Sequence, residues 1–183
     1  MDSVEEFGFS DPENARNYAE TGPASFVPGF KALHRTTVQL LSETADTDGT
    51  VLVLGAGGGH ELQAFTEARP NWNLIAVDPA AAMLDAAKEK LGKTAAEIEW
   101  VEGVIQDAPI TLADAATCLL TLHVIADDRA KIETLKEVRK RLKPGALFAL
   151  VDNCIEIGSA DADHCLDRYL HYAVDSVFTR EQA

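Results

Sequence analysis

Four apolar residues running straight into a glycine turn, Val51-Leu-Val-Leu-Gly-Ala-Gly-Gly-Gly59, constrain this chain more than any other stretch. Two of the four are β-branched, and an unbroken apolar run of this length reads as a strand buried on both faces, the habit of parallel sheets. Gly55, Gly57, Gly58 and Gly59 then bend the backbone, and helical spacing begins at His60, with Leu62, Phe65 and Ala68 on one face before Pro70. A glycine without Cβ lets a ligand lie directly on the backbone. The N–H groups of the first helical turn then face the ligand's polar or negative parts. Three or four glycines alone are a weak signal; the context strengthens it. A second apolar run, 73–78, ends in Asp78, 23 residues after Gly55. That is about the spacing at which a carboxylate meets a ribose diol in nucleotide-binding α/β folds.

At these residues the chain resembles the class I S-adenosylmethionine-dependent methyltransferases. Gly55, Gly57 and Gly59 fit the family's Gly-x-Gly-x-Gly turn, and Asp78 fits the acid that closes its second strand. Ala56 lies within the turn. Pro79 and Met83 stand where the family places a turn and an apolar side chain flanking the adenine. Val53 departs from the pattern, because similar sequences carry an acid there that makes one indirect contact to the methionyl amino group. A second departure is Val104, which follows Gly103 where an acid commonly accepts the adenine amino group. The resemblance then implies that Val104 and Ile105 line the adenine. Asp107, three residues on, is either the acceptor or a turn former.

Along the rest of the chain, 80–91 is an alanine-rich helix with Met83, Leu84, Ala87 and Leu91 near a 3.6 period. A third strand is expected over 98–105 and a fourth over 116–122. His123 at the end of the latter has three readings: wall of the cofactor pocket beside Leu120, substrate base, or packed core residue. A side chain that titrates near neutrality makes the second possible. The stretch 128–142 predicts a helix buried through Ile132, Leu135, Val138 and Leu142 and ended by Pro144-Gly145. Arg-Leu-Lys-Pro-Gly before the strand 146–152 resembles a recurrent feature of the same family, and favours it over dinucleotide dehydrogenases. A further helix runs from Ser159 towards Asp175, with Leu166, Tyr169, Leu170 and Ala173 as its apolar face. His164, Asp167 and His171 lie on another side of it, and a solvated face is favoured there over a metal site.

Residues 1–25 are polar and broken by Pro12, Gly22 and Pro23, and read as a loose cover ahead of a domain over 26–183. Phe26-Val-Pro-Gly-Phe30 leads into a helix to about Thr44, with Leu33, Thr37, Leu40 and Leu41 on one side. The phenylalanines staple this helix to the core, form a lid over the cofactor, or do both. The formal charge of −14 over 183 residues opposes phosphate backbones and anionic membranes. Lys136, Arg139, Lys140, Arg141 and Lys143 cluster nonetheless, at the end of a helix whose dipole favours cations. The N-terminus lacks the basic-then-apolar order of a secretory signal. Cys118, Cys154 and Cys165 have no metal-type spacing and read as buried thiols of a reducing cytoplasm.

The expected architecture is α/β: a doubly wound, mainly parallel sheet of order 3-2-1-4-5 with helices on both faces. The resemblance implies S-adenosylmethionine as cofactor and methyl transfer to a small-molecule acceptor. No catalytic side chain and no metal ligand is assigned. A non-catalytic S-adenosylmethionine-binding protein and a tRNA wobble-uridine-modifying enzyme are the alternatives, the latter weakened by the charge. Similar proteins continue into an antiparallel hairpin, and five strands are counted here. On that reading the hairpin is absent, and the apolar edge of 146–152 is covered by a second copy of the chain or by residues 154–183.

Overall fold

The computed structural model describes residues 8–126, 129–154, 158–159 and 161–176. Among the described residues five strands form one parallel sheet, as the alternation of apolar runs and helical stretches predicts, and its order is the expected β3-β2-β1-β4-β5. They are β1 (Thr50–Leu54), β2 (Asn73–Asp78), β3 (Glu99–Glu102), β4 (Ala113–Leu119) and β5 (Leu142–Val151). The helices are α1 (Pro12–Glu20), α2 (Gly22–Phe26), α3 (Phe30–Leu41), α4 (His60–Ala68), α5 (Ala81–Leu91), α6 (Ala130–Lys140) and α7 (Ala162–Ser176).

Alternation of side chains along each strand gives the sheet two cores. Val51, Val53, Leu74, Ala76 and Ala115 face α3 and α4, meeting Val38, Leu41, Leu62 and Phe65. Leu52, Leu54, Ile75, Val77, Ala116 and Cys118 face the other way, towards Val138 of α6. Both faces of the middle of β1, β2 and β4 are buried, so these stretches are largely apolar.

Several boundaries differ from the expectations. Within 8–26, Pro12–Glu20 and Gly22–Phe26 are packed helices rather than loose cover. Asp11 caps α1 through the Glu13 and Asn14 amides, and Ala15 and Ala19 bury themselves against Ala80, Met83 and Ala86 of α5. Small residues let the two helices approach, a signal the polar composition hides. The helix α3 stops at Leu41, and its buried stripe is Phe30, His34, Thr37, Val38 and Leu41. Leu40 is 41% exposed; the true stripe runs one residue away from it and accepts a histidine edge-on to Phe30 at 4.4 Å.

The basic helix ends sooner than Pro144-Gly145 implies. Arg141, just past α6, is 2% exposed and donates to the carbonyls of Ala108 and Gln106 and to the Glu137 carboxylate. That bonding turns the chain directly into β5, so Leu142 belongs to the strand. Pro144 is tolerated because a register irregularity lies between the partners Ala113 and Ala115. Ile132 is exposed, while Thr134 and Val138 are buried. The strand β4 begins and ends three residues earlier than expected, and β3 is confined to four residues. On the expected apolar face of α7, Leu166 is exposed and Ala173 is buried. Cys118 alone is buried among the three free cysteines; Cys154 is exposed and Cys165 intermediate. Among the described residues, no helix is long and apolar enough to cross a membrane.

Candidate active site at the carboxyl ends of the strands

Parallel order with a switch between β1 and β4 opens a crevice at the strand carboxyl ends. Gly55 N–H and Ala56 N–H both donate to Val77 O, at 2.9 and 3.0 Å, which ties the glycine turn to β2. The four glycines of the turn then do different work. A Cβ on Gly55 would fall 2.0 Å from Thr121 Oγ1, on Gly58 2.7 Å from Ala19, and on Gly59 2.9 Å from Ala87. Protein already fills those three spaces. A Cβ on Gly57 would meet nothing nearer than Met83 Cε at 3.6 Å, and its φ of +48° suits glycine. Its bare Cα is the part of the turn left for a ligand.

Asp78 closes β2 opposite that Cα. Oδ2 accepts from Gly57 N–H at 2.9 Å and Oδ1 from Ala80 N–H at 2.9 Å. Each oxygen keeps a free lone pair, which suits two hydroxyls of a vicinal diol. Burial pushes the carboxyl pKa up, and the two amides oppose that shift. Pro79 is exposed beside it, while Met83 is buried between α1 and the turn.

The neighbouring turn holds the other predicted residues. Gly103 N–H donates to Asp78 O, bringing the end of β3 to the site. Val104 is 50% exposed there, whereas the Ile105 side chain is in the core with Val77 and Leu54. Asp107 Oδ2 accepts from Val104 N–H at 2.9 Å, which commits that carboxylate to the turn. On the far side, Leu120 adopts φ +53°, rare for a side chain of its size, and its N–H donates to Val151 O. His123 Nδ1 lies 2.5 Å from Asp152 Oδ1, and its backbone N–H donates to Oδ2 at 3.0 Å. This pair spans the ends of β4 and β5. The sequence reading left His123 without a partner, although a histidine and an aspartate closing adjacent strands are a detectable signal.

Aromatic side chains gather near Asp78. Tyr18 of α1 is pushed up to about 12, first by burial and then by Tyr169 and Asp78 nearby. Phe26 of α2 stacks on Tyr169 of α7 with ring centroids 6.0 Å apart. The staple and lid readings of Phe26 and Phe30 separate here: Phe30 packs on His34 and His60, and Phe26 joins this aromatic group. Four cations of the basic cluster are paired: Lys136 with Glu133, Lys140 and Arg141 with Glu137, and Lys143 with Asp114. Among the described residues no group of His, Cys, Asp and Glu has the arrangement of a metal site.

Residues 52–148, more than half of the chain, match the family described as methyltransferase domain. Carboxy-S-adenosyl-L-methionine synthase of Campylobacter lari is 22% identical over 157 residues, covering 86% of this chain and 67% of that protein. Among solved structures, the plantazolicin methyltransferase BpumL, in complex with a desmethyl plantazolicin analogue and S-adenosylhomocysteine, superposes with TM-score 0.66 at 18% identity. That likeness covers 98% of this chain and 64% of BpumL. An amino pentose methyltransferase of Micromonospora echinaspora, with S-adenosylmethionine bound, gives TM-score 0.63 at 17% identity over 74% of this chain and 56% of that one.

Proposed function

The chain belongs to the class I S-adenosylmethionine-dependent methyltransferases, with S-adenosylmethionine as cofactor, and from that premise we propose that it methylates a small-molecule acceptor. The observation that carries the reading is the aromatic cover of Tyr18, Phe26 and Tyr169 over a crevice whose surrounding chain bears a net charge of −14. An aromatic-walled crevice in a chain of net negative charge suits a compact uncharged or cationic acceptor and opposes a polyanion.

The residues present fit the cofactor. Asp78 is placed to take the ribose hydroxyls, and the open Cα face of Gly57 gives the methionyl end room. Gly55, Ala56 and Gly59 shape the turn, Met83 and Val104 flank the base, and Pro79, Ile105 and Leu120 hold the surrounding turns. S-adenosylmethionine, when bound, supplies a methyl already activated by its sulfonium. The protein's part is then to align the acceptor, exclude water and remove a proton where the acceptor carries one. The cover does the first two. His123, oriented by Asp152 through Nδ1, leaves Nε2 to receive the acceptor's proton.

Calorimetry tests the reading at its base: S-adenosylhomocysteine should bind and NAD should not. Binding of NAD in its place would redirect the assignment to a dehydrogenase. The similarity to a carboxy-S-adenosyl-L-methionine synthase over 86% of the chain favours a second reading, in which the cofactor itself is the substrate and gains a carboxyl group. Mass spectrometry of the nucleoside product separates the two.

We further propose a cytoplasmic protein that associates with itself through β5. Leu150 and Val151 on that strand are 42% and 38% exposed, and among the described residues α7 packs on α2 rather than along the strand. Light scattering that gives a monomer at all concentrations would remove the dimer from the account.

A further inference from the structure

Glu61 lies in the first turn of α4, two residues past Gly59. The residue is 5% exposed, and its carboxyl faces Thr117 of β4, which is wholly buried. Thr117 stands in register with Val53 of β1, so both side chains project from the face that α3 and α4 cover. The carboxyl therefore sits beside Val53, behind the glycine turn. Glu61 Oε1 and Thr117 Oγ1 face each other and have no other hydrogen-bond partner.

Packing gives no reason for an acid here. A buried polar atom without a partner costs about 1–3 kcal/mol, and an unpaired buried charge costs more. A leucine or methionine of similar volume would fill the space without that cost. Nor do the surrounding elements offer a cation. His60 on the same helix and His34 on α3 are both pushed down to about 4 by burial, and are neutral at pH 7. Cys118 on β4 is pushed up to about 12 and stays a thiol. Asp152 beyond it is another acid, and Lys90 of α5 is turned to His60 and to Ala19 O. Beyond the Thr117 hydroxyl, the described residues supply the carboxyl with no donor and no cation.

We infer that Glu61 receives the ammonium of the methionyl end of S-adenosylmethionine, reaching it from α4 because Val53 occupies the β1 position where similar proteins carry an acid. The inference rests on the cofactor assignment above and goes beyond it. Burial raises the Glu61 pKa to about 8, so the free protein holds a neutral carboxyl at pH 7. The incoming ammonium favours the carboxylate. One carboxyl O–H bond breaks, the carboxylate pairs with the ammonium, and the proton passes to solvent.

Calorimetry below about pH 7.5, where the ligand's α-amine is mainly charged, tests this with two ligands. S-adenosylhomocysteine carries the ammonium, and 5′-methylthioadenosine lacks the whole amino-acid end. For the wild type, titrations in buffers of different ionisation heat should show close to one proton released with S-adenosylhomocysteine and none with methylthioadenosine. Affinity for the former should rise with pH, up to about tenfold per unit below pH 8. Glu61→Gln should bind S-adenosylhomocysteine about tenfold or more weakly and release no proton. Its unchanged affinity for methylthioadenosine shows that the site is folded. Glu61→Asp should restore proton release. Equal affinity and equal proton release in wild type and Glu61→Gln would overturn the inference while leaving the cofactor assignment intact. Loss of both ligands in Glu61→Gln and Glu61→Asp alike would overturn it in favour of a purely structural acid. If neither ligand binds the wild type, the cofactor assignment falls, and this inference with it.

Discussion

Asp78 Oδ2 accepts a hydrogen bond at 2.9 Å from the Gly57 N–H, joining the end of β2 to the middle of the glycine turn. The carboxylate therefore serves the turn as well as the ligand. Asp78→Ala should weaken S-adenosylmethionine binding by about 2–4 kcal/mol, the loss of two charge-assisted hydrogen bonds. It should also lower stability by about 1–2 kcal/mol, because Gly57 N–H and Ala80 N–H lose their acceptor. Calorimetry and denaturant unfolding check the two effects separately. Unchanged affinity in the folded variant rules out the ribose contact.

The glycines should respond differently to the same substitution. Gly57→Val places its side chain in space that protein leaves open, so binding should disappear with a stability cost of about 1 kcal/mol for the positive φ. Gly58→Val drives a side chain into Ala19 and should separate α1 from the body. Its melting temperature should fall further, and proteolysis should begin within α1. Reversed outcomes would show that Gly57 serves only the turn.

Protonation gives stability a particular pH course. His34 and His60 have folded pKa values near 4, below the unfolded 6.5, so the unfolded chain binds more protons between those limits. Stability should rise with pH across that interval. Glu61 has the opposite sign: its folded pKa of about 8 exceeds the unfolded 4.5. The stability linked to its proton is present below about 4.5 and is lost as pH climbs to 8. From pH 6.5 to 8 the histidines no longer contribute, and the free protein should lose about 1–2 kcal/mol. Glu61→Gln should abolish this decline. Thermal unfolding at half-unit pH steps is the measurement, and an unchanged slope in the variant contradicts a neutral Glu61.

The strands and the placing of Gly57 and Asp78 at their carboxyl ends were legible from short-range signals, and the order of the sheet from the resemblance to a methyltransferase family. Buried parallel strands are apolar on both faces, and the turn between Leu54 and His60 needs glycine wherever backbone or ligand comes close. Relations across the fold were not legible. The polar composition of 8–26 conceals that Ala15 and Ala19 are small enough to let α1 sit on α5. Glu61 looks like an ordinary first-turn acid, and only its proximity to Thr117 reveals a carboxyl with no other partner. Arg141 was one cation of a cluster until the carbonyls of Ala108 and Gln106 were found around it. Periodicity says which side of a helix is buried, but not which polar residue a neighbouring strand will accept.

His123 and Asp152 make the chemical step sensitive to one hydrogen bond. With the acceptor in hand, His123→Asn should lower kcat roughly a hundredfold with little change in affinity for the cofactor. Asp152→Asn should lower it less, because the imidazole loses the carboxylate that orients it. A kcat within about twofold of wild type in His123→Asn, measured in single turnovers, would return the histidine to a purely packing role.

Methyl transfer to a small molecule is tested by one labelling experiment. Purified protein is incubated with S-adenosylmethionine labelled in its methyl group and with a cell extract separated into small-molecule, protein and RNA fractions. The account predicts label in the small-molecule fraction and stoichiometric S-adenosylhomocysteine, both lost in Gly57→Val. Label confined to the RNA fraction, or no S-adenosylhomocysteine from any fraction by a protein that binds the cofactor, would contradict it.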